Sequence, residues 1–302
     1  MSGKTLIGFG TFGGVEFTRE LVKGIRETTT KEVDLFAVVG KPGDLETEAF
    51  LKDSGIPYKH HEVNMGFPYS VNDLYDWAWK YNNYDYLIVA GNDTIPYPYC
   101  VDSMIDKADT TEYEWISASQ YDARTLVSQF PEVSTLFATH KMLFTAFDKA
   151  PWKLFKDYGE QSECEGGVIK DVQNFCLYKK SVFDKIGYTD VNFYPAYYID
   201  NDYARRGVNA KLLTCNLNKA IYFHFWSRVL NQIGGGSNSV FFNNNRNYYI
   251  AKWNGEFAQE RWDIPFDGKD YKLADTITLP GSLKISSRDN EVDIVNFWKS
   301  RG

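Results

Sequence analysis

Three short stretches carry side chains that could do chemistry. They are Asp93 in "YDYLIVAGNDTIPYP", the pair Asp200 and Asp202 in "YYIDNDYARRG", and His224 in "AIYFHFWS". A carboxylate at the mouth of a buried strand can hold a hard cation, and Asn92-Asp93 is equally an ordinary turn pair. Two aspartates spaced two apart share a face in a strand and flank the positive end of a helix at its start. One of them facing a cleft can act as a general base, whereas a solvated helix start would pair them with Arg205 and Arg206. An imidazole in an apolar, aromatic run is either a core histidine or a ligand that needs a carboxylate from elsewhere and phosphate oxygens to complete a cation's shell. A fourth stretch, "GFGTFGG", fits G-x-G-x-x-G through Gly8, Gly10 and Gly13. A dinucleotide site also needs an acid at the end of the second strand; "VDLFAVVG" has only Asp34, at its opening.

The elements that must position these residues follow from periodicity. "TLIGFG", "VDLFAVVG", "YKHHEVN" and "YDYLIVA" read as strands, the last nearly continuously apolar as in a sheet covered on both faces. Between them, "FTRELVKGIRE" puts Phe17, Leu21 and Ile25 on one helical face, and "LETEAFLKDSG" is a helix stopped by Gly55. "SVNDLYDWAWKYN" reads as a helix with a capping box at Ser70 and Asp73, and "VQNFCLYKKSVFDKIGY" as a strand and a helix boxed by Ser181 and Asp184. Alternating strands and helices predict an open α/β sheet, mostly parallel, whose ligands lie outside the carboxyl ends of the strands. Asp93 lies at such an end. From about residue 226 the composition turns to Asn, Gly, aromatics and Arg, so a domain over 1–225 is expected to carry a C-terminal extension over 226–302, with "GGGSN" as a hinge.

Bulk properties narrow the class. A chain of 302 residues with 43% hydrophobic and 24% charged side chains can bury a real core and is not a disordered segment. The net charge of −7 argues against a general polyanion binder. Residues 200–302 nevertheless hold 14 Lys and Arg against 11 Asp and Glu, which permits an anionic partner on that side. Cys100, Cys164, Cys176 and Cys215 show no metal-ligand spacing and no dense disulfide pattern, so a reducing, cytoplasmic setting is the expectation. No apolar run reaches the ~18 residues of a membrane span.

Taken in order along the chain, the motifs resemble those of the GT-A fold glycosyltransferases, close to the inverting family 2. The likeness covers about residues 5–266. An N-x-G…N segment is matched by "VNMGFPYSVNDLYDWA" through Asn64, Gly66 and Asn72, and the strand-ending D-x-D or N-x-D by "GNDTIP", with Gly91 in place of the first acid. The block ending E-D-x-D-L-x-x-R is similar to "YKKSVFDKIGYTDVNFYPAYYIDNDYARR", where Ile199 holds the Glu position and Asp200 inherits the base role beside Asp202. A histidine followed by G-G-S is matched by "IYFHFWSRVLNQIGGGS". The ending "KWNGEFAQERWDIPF" is similar to those of phage-encoded transferases, some of which glycosylate hydroxymethylated pyrimidines in DNA.

The resemblance implies a nucleotide-sugar donor, of the UDP-hexose type, bound by Thr11, Phe12, Asp44, Asn64, Asn72, Asn92 and Asp93. It implies a divalent metal, Mn²⁺ or Mg²⁺, on Asp93 and His224, and transfer to an acceptor hydroxyl with inversion. For the acceptor, either a glycan or a hydroxymethylpyrimidine in DNA, the interleaved cations and rings of 228–262 suggest Arg228, Arg246, Tyr248 and Trp253. Two other classes stay open: an NAD-dependent oxidoreductase built on "GFGTFGG", and a catalytically inactive sugar-binding module on the same fold.

Overall fold

The computed structural model describes residues 3–121, 164–166, 173–225 and 240–266. The strands are β1 Thr5–Thr11, β2 Val33–Val39, β3 Tyr58–His60, β4 Tyr86–Gly91, β5 Thr94–Pro96, β6 Trp115–Tyr121, β7 Cys164–Gly166, β8 Phe175–Lys179 and β9 Thr214–His224. The helices are α1 Val15–Thr28, α2 Leu45–Asp53, α3 Phe67–Tyr75, α4 Cys100–Thr110, α5 Lys180–Ile186, α6 Ile199–Asn209 and α7 Val240–Trp253. A π-helical turn, Asp76–Lys80, extends α3.

All nine strands join one sheet in the order β3-β2-β1-β4-β8-β6-β9-β5, with β7 also on β9. The pairs β2–β3, β1–β2, β1–β4 and β6–β9 are parallel, while β8, β5 and β7 run against their neighbours. Side chains alternate between two buried faces, as expected for a sheet covered by helices on both sides. Ile7, Phe9, Ile88 and Ala90 pack toward Leu21 and Ile25 of α1 and Met104 of α4. Leu6, Leu87 and Val89 face the other way, onto Val71 and Leu74 of α3 and Tyr203 of α6.

Two expected caps are corrected. Helix α3 begins at Phe67 with Gly66 as its N-cap, four residues before the supposed cap at Ser70. Ser70 lies inside it with Oγ donating to Gly66 O at 3.4 Å, and Asp73 pairs with Lys59 at 2.8 Å and His61 at 2.6 Å. At α5, Lys179 occupies the N-cap without capping it, its Nζ donating to Thr111 O at 2.8 Å. Ser181 donates instead to Glu114, and Asp184 accepts from Lys180. Tertiary partners took Asp73 and Ser181 away from local capping. Cys215 is disulfide-bonded, while Cys100 and Cys176 are free and buried. Most of the irregular middle, the "GGGSN" stretch and Arg228 fall outside the described residues.

Candidate functional site

Strand β4 ends at Gly91, and the chain reverses through Asn92 and Asp93 into β5. Antiparallel pairing of β5 with β9 then sets Thr94 opposite His224, and the Phe225 N–H donates to Asp93 O at 2.9 Å. Backbone register alone therefore brings together two residues 131 positions apart in "GNDT" and "YFHF". The result is a contact of 3.3 Å between Asp93 Oδ1 and His224 Nε2.

The imidazole is oriented from behind. His224 Nδ1 lies 2.9 Å from Gln120 Oε1, which also accepts from the Tyr222 hydroxyl at 3.2 Å. Because an amide oxygen only accepts, Nδ1 carries the proton and Nε2 is turned on the Asp93 carboxylate. Two ligands adjacent on one cation with bonds of ~2.1 Å stand roughly 3.0–3.4 Å apart. The observed separation is that of a direct Asp–His contact and equally that of two ligands on one divalent ion; among the described residues no third His, Cys, Asp or Glu joins the pair.

This pair lines a cavity of ≈ 290 Å³ at the carboxyl ends of the strands. Gly10, Thr11, Phe12 and Gly40 form one wall, Asn64, Gly66, Phe67 and Ser70 another, and Pro195, Ala196, Tyr197, Ile199 and Asp200 a third. Gly10 packs against Ser70, where an added Cβ would stand 3.2 Å away, so glycines of "GFGTFGG" serve the packing of β1 on α3. Gly66 is obligatory for another reason. Its φ is +82°, and a Cβ would stand 2.9 Å from Tyr194 and 3.1 Å from Pro195 O. Asn64 Oδ1 accepts from the Gly66 N–H at 2.9 Å, which shapes the turn that admits the 195–200 segment to the cavity.

Asp200 sits in the first turn of α6 and reaches the cavity with partial exposure. The two residues before α6, Tyr197 and Tyr198, both take left-handed backbone conformations, φ 77° and 62°. Such conformations are held only where surrounding structure over-determines them. Burial pushes the Asp200 carboxyl above the ordinary Asp range, with the Asn201 N–H at 2.9 Å offsetting part of the effect. A raised carboxyl binds and releases protons more readily near neutral pH, as a general base must.

Several expected residues do other work. Asp44 caps α2 and accepts from Thr47 Oγ1 at 2.7 Å and from the Gly13 N–H at 3.1 Å, so its carboxylate is spent on the β1–α1 loop. Asn72 is fully buried and clasps Thr189, accepting its N–H at 2.8 Å and hydroxyl at 2.7 Å while donating to its carbonyl at 3.1 Å. Asp202, also fully buried, is bound to Lys252 at 2.6 Å, Arg206 at 3.1 Å and Trp253 Nε1 at 3.0 Å, and does not line the cavity. Tyr248 and Trp253 are 0% exposed and offer no ring face to an acceptor, and Arg246 pairs with Glu256 on the surface. Asn92 borders the cavity, with Nδ2 3.4 Å from Gly13 O.

Sequence reasoning passed over Gln120, Gln173, Asn174 and Tyr197. Gln120 is the penultimate residue of β6, and Gln173 and Asn174 precede β8; their signal was polarity at a strand end in an open sheet, the same signal that marked Asp93.

No family model matches the chain, and no curated protein matches it. Among solved structures it is similar to residues 1–349 of TarS from S. aureus, with a TM-score of 0.50 and 12% identity over 83% of this chain and 74% of that one. It is also similar to the mannosyltransferase PcManGT from Pyrobaculum calidifontis in complex with GDP-Man and Mn²⁺, with a TM-score of 0.49 and 8% identity over 74% of this chain. The chain spans 57% of that mannosyltransferase's length. The fold is thus a mixed, mostly parallel, curled α/β sheet flanked by helices, shared with the TarS structure.

Proposed function

We propose that this protein is a metal-dependent glycosyltransferase, moving a hexose from a nucleoside diphosphate sugar, UDP-hexose in the first instance, to an acceptor hydroxyl. The observation that carries the reading is the convergence of the Asp93–His224 pair and Asp200 on one cavity at the carboxyl ends of the sheet. Asp93 Oδ1 and His224 Nε2 would hold Mn²⁺ or Mg²⁺, leaving the remaining positions to diphosphate oxygens and water. Bound there, the ion supplies charge neutralisation for a departing diphosphate. Thr11, Phe12, Asn64 and Asn92 border the donor.

Asp200 takes the proton from the acceptor hydroxyl as its oxygen bonds to the anomeric carbon and the carbon–phosphate oxygen bond breaks. With Asp93 committed to the cation, one carboxylate remains for the acceptor. A single displacement inverts the anomeric centre. Tyr197, beside Asp200, offers a ring to a pyranose face, so a glycan hydroxyl is the favoured acceptor. The burial of Tyr248 and Trp253 removes two rings of 228–262 from either acceptor, while Trp262 stays exposed.

The test is calorimetric titration of UDP-glucose, UDP-galactose and GDP-mannose with Mn²⁺ and with EDTA. Binding to wild type that needs the metal, and that Asp93→Ala and His224→Ala both abolish, supports the reading. Equal binding in EDTA, or by either variant, contradicts it. Offering an oligosaccharide panel and hydroxymethylpyrimidine duplexes in parallel identifies the acceptor, and a hexose gain on DNA alone would overturn the glycan choice.

A further inference from the structure

Helix α7 was expected to face an acceptor, yet its side chains point at the segment that delivers Asp200. Asn245, Tyr248, Tyr249, Lys252 and Trp253 recur at helical spacing and are all buried. Three fastenings run from this face to residues 190–202. Asn245 Nδ2 donates to Ala196 O at 2.5 Å and to Tyr197 O at 3.2 Å, immediately ahead of Asp200. Lys252 Nζ bridges Asp190 Oδ2 at 2.7 Å and Asp202 Oδ1 at 2.6 Å, and both its ion pairs are without solvent exposure. Phe242 packs against the rings of both Tyr197 and Tyr198, 5.3 Å from each.

The carbonyls that Asn245 holds belong to the residues entering the left-handed pair at 197–198. Backbone in that region does not hold itself for non-glycine residues; something must pay its cost, and the amide at 245 supplies two hydrogen bonds where it is needed. The Lys252 bridge fixes the other side, since Asp202 stands one residue beyond Asn201 on the same first turn of α6. Tyr248 and Trp253 reinforce the same two carboxylates, at 2.7 Å to Asp190 and 3.0 Å to Asp202. Asp200 thereby lies between two anchored points while bearing no anchor from α7 itself.

We infer that α7 is a brace for the base: Asn245 and Lys252 are positioning residues that set the Asp200 carboxylate against the acceptor without touching it. The catalytic part of this inference rests on the glycosyltransferase reading. The bracing part does not.

The test uses the full chain with Asn245→Ala as the mild variant and Lys252→Met as the severe one. Amide exchange is followed by mass spectrometry, and Mn²⁺-dependent hydrolysis of UDP-glucose and GDP-mannose is followed as kcat and KM. In Asn245→Ala, exchange across 196–202 is expected to rise at least ~10-fold with β1–β4 unchanged, because a buried anchor to two carbonyls is lost. The kcat is expected to fall ~10–100-fold at unchanged KM, the pattern of a misplaced reacting group. Wild-type protection across 196–202 in a folded Asn245→Ala overturns the brace. Faster exchange with unaltered kcat, or a rise in KM without a fall in kcat, overturns its catalytic part. Should Lys252→Met fail to fold, Asn245→Ala decides alone. A wild-type protein inert toward every nucleotide sugar sinks the glycosyltransferase reading instead, and exchange still decides whether α7 braces the segment.

Discussion

Replacing Lys252 by Met would leave two buried carboxylates to share one cation. In the native cluster Asp190 and Asp202 are balanced by Lys252 and Arg206, all within 3.1 Å of a partner. Burial on its own would raise the Asp190 carboxyl. The Lys252 charge and hydrogen bond, the Asn192 N–H and the Tyr248 hydroxyl reverse that and hold it below the ordinary Asp range. Without the ammonium, Asp202 keeps Arg206 and Trp253, but Asp190 keeps only neutral donors. Breaking a buried pair from one side typically costs ~3–5 kcal/mol. A ceiling comes from the alternative of protonating Asp190, which from an ordinary pKa near 3.9 costs about 4 kcal/mol at pH 7. The expected loss at pH 7 is therefore about 3–4 kcal/mol.

The sign of its pH dependence is fixed. A depressed native carboxyl contributes stability above its unfolded pKa and loses it as pH falls through the native one, so wild type weakens toward acid. In Lys252→Met, once Asp190 is protonated in the folded state, the deficit shrinks by about 1.4 kcal/mol per pH unit, to roughly 1–2 kcal/mol at pH 5. Urea denaturation of both proteins at pH 7 and pH 5 measures this, and Asp190→Asn added to Lys252→Met should recover most of the loss at pH 7. A variant within ~1 kcal/mol of wild type, or a deficit equal at the two pH values, would refute the electrostatic account and leave only packing.

Asp200→Asn is expected to keep Mn²⁺-dependent donor binding and to lose at least ~100-fold in transfer, the usual scale of a general base. Because burial raises the Asp200 carboxyl in the folded state, ionising it costs stability as pH rises through that pKa. The Asn variant should therefore melt higher than wild type at pH 8, with the advantage gone below about pH 3.9; a lower melting temperature at pH 8 would contradict the assigned burial. Asn72→Ala deletes three buried contacts to Thr189 and should destabilise by ~2–4 kcal/mol in urea unfolding, while donor binding by the folded protein stays at the wild-type level. A selective loss of donor affinity would return Asn72 to the site.

The sequence by itself determined the sheet's parallel half and the place of its chemistry. Short, nearly continuous apolar runs in "TLIGFG" and "YDYLIVA" define strands, and Phe17, Leu21 and Ile25 define a helix face, because burial on both sides of a sheet leaves a pattern readable over a few residues. Asp93 at a strand end and Asp200 at a helix start were legible for the same local reason. Their meeting was not. Only the β5–β9 register sets His224 against Asp93, and only the Gln120 contact fixes which imidazole nitrogen faces it.

Tertiary structure also decided which polar residues are ligands and which are fastenings. Asp44, Asn72 and Asp202 have side chains suited to a site, but each found a buried partner whose loss would cost more than a solvent-exposed role could return. In α7 the spacing of 245, 248, 249, 252 and 253 did mark one face. Its Asn and Lys did not mark that face as buried, because a polar type signals burial only when its partner is known. Asp190 and Asp202 supply that partner from 62 and 50 residues away, and local pattern carries no information about it.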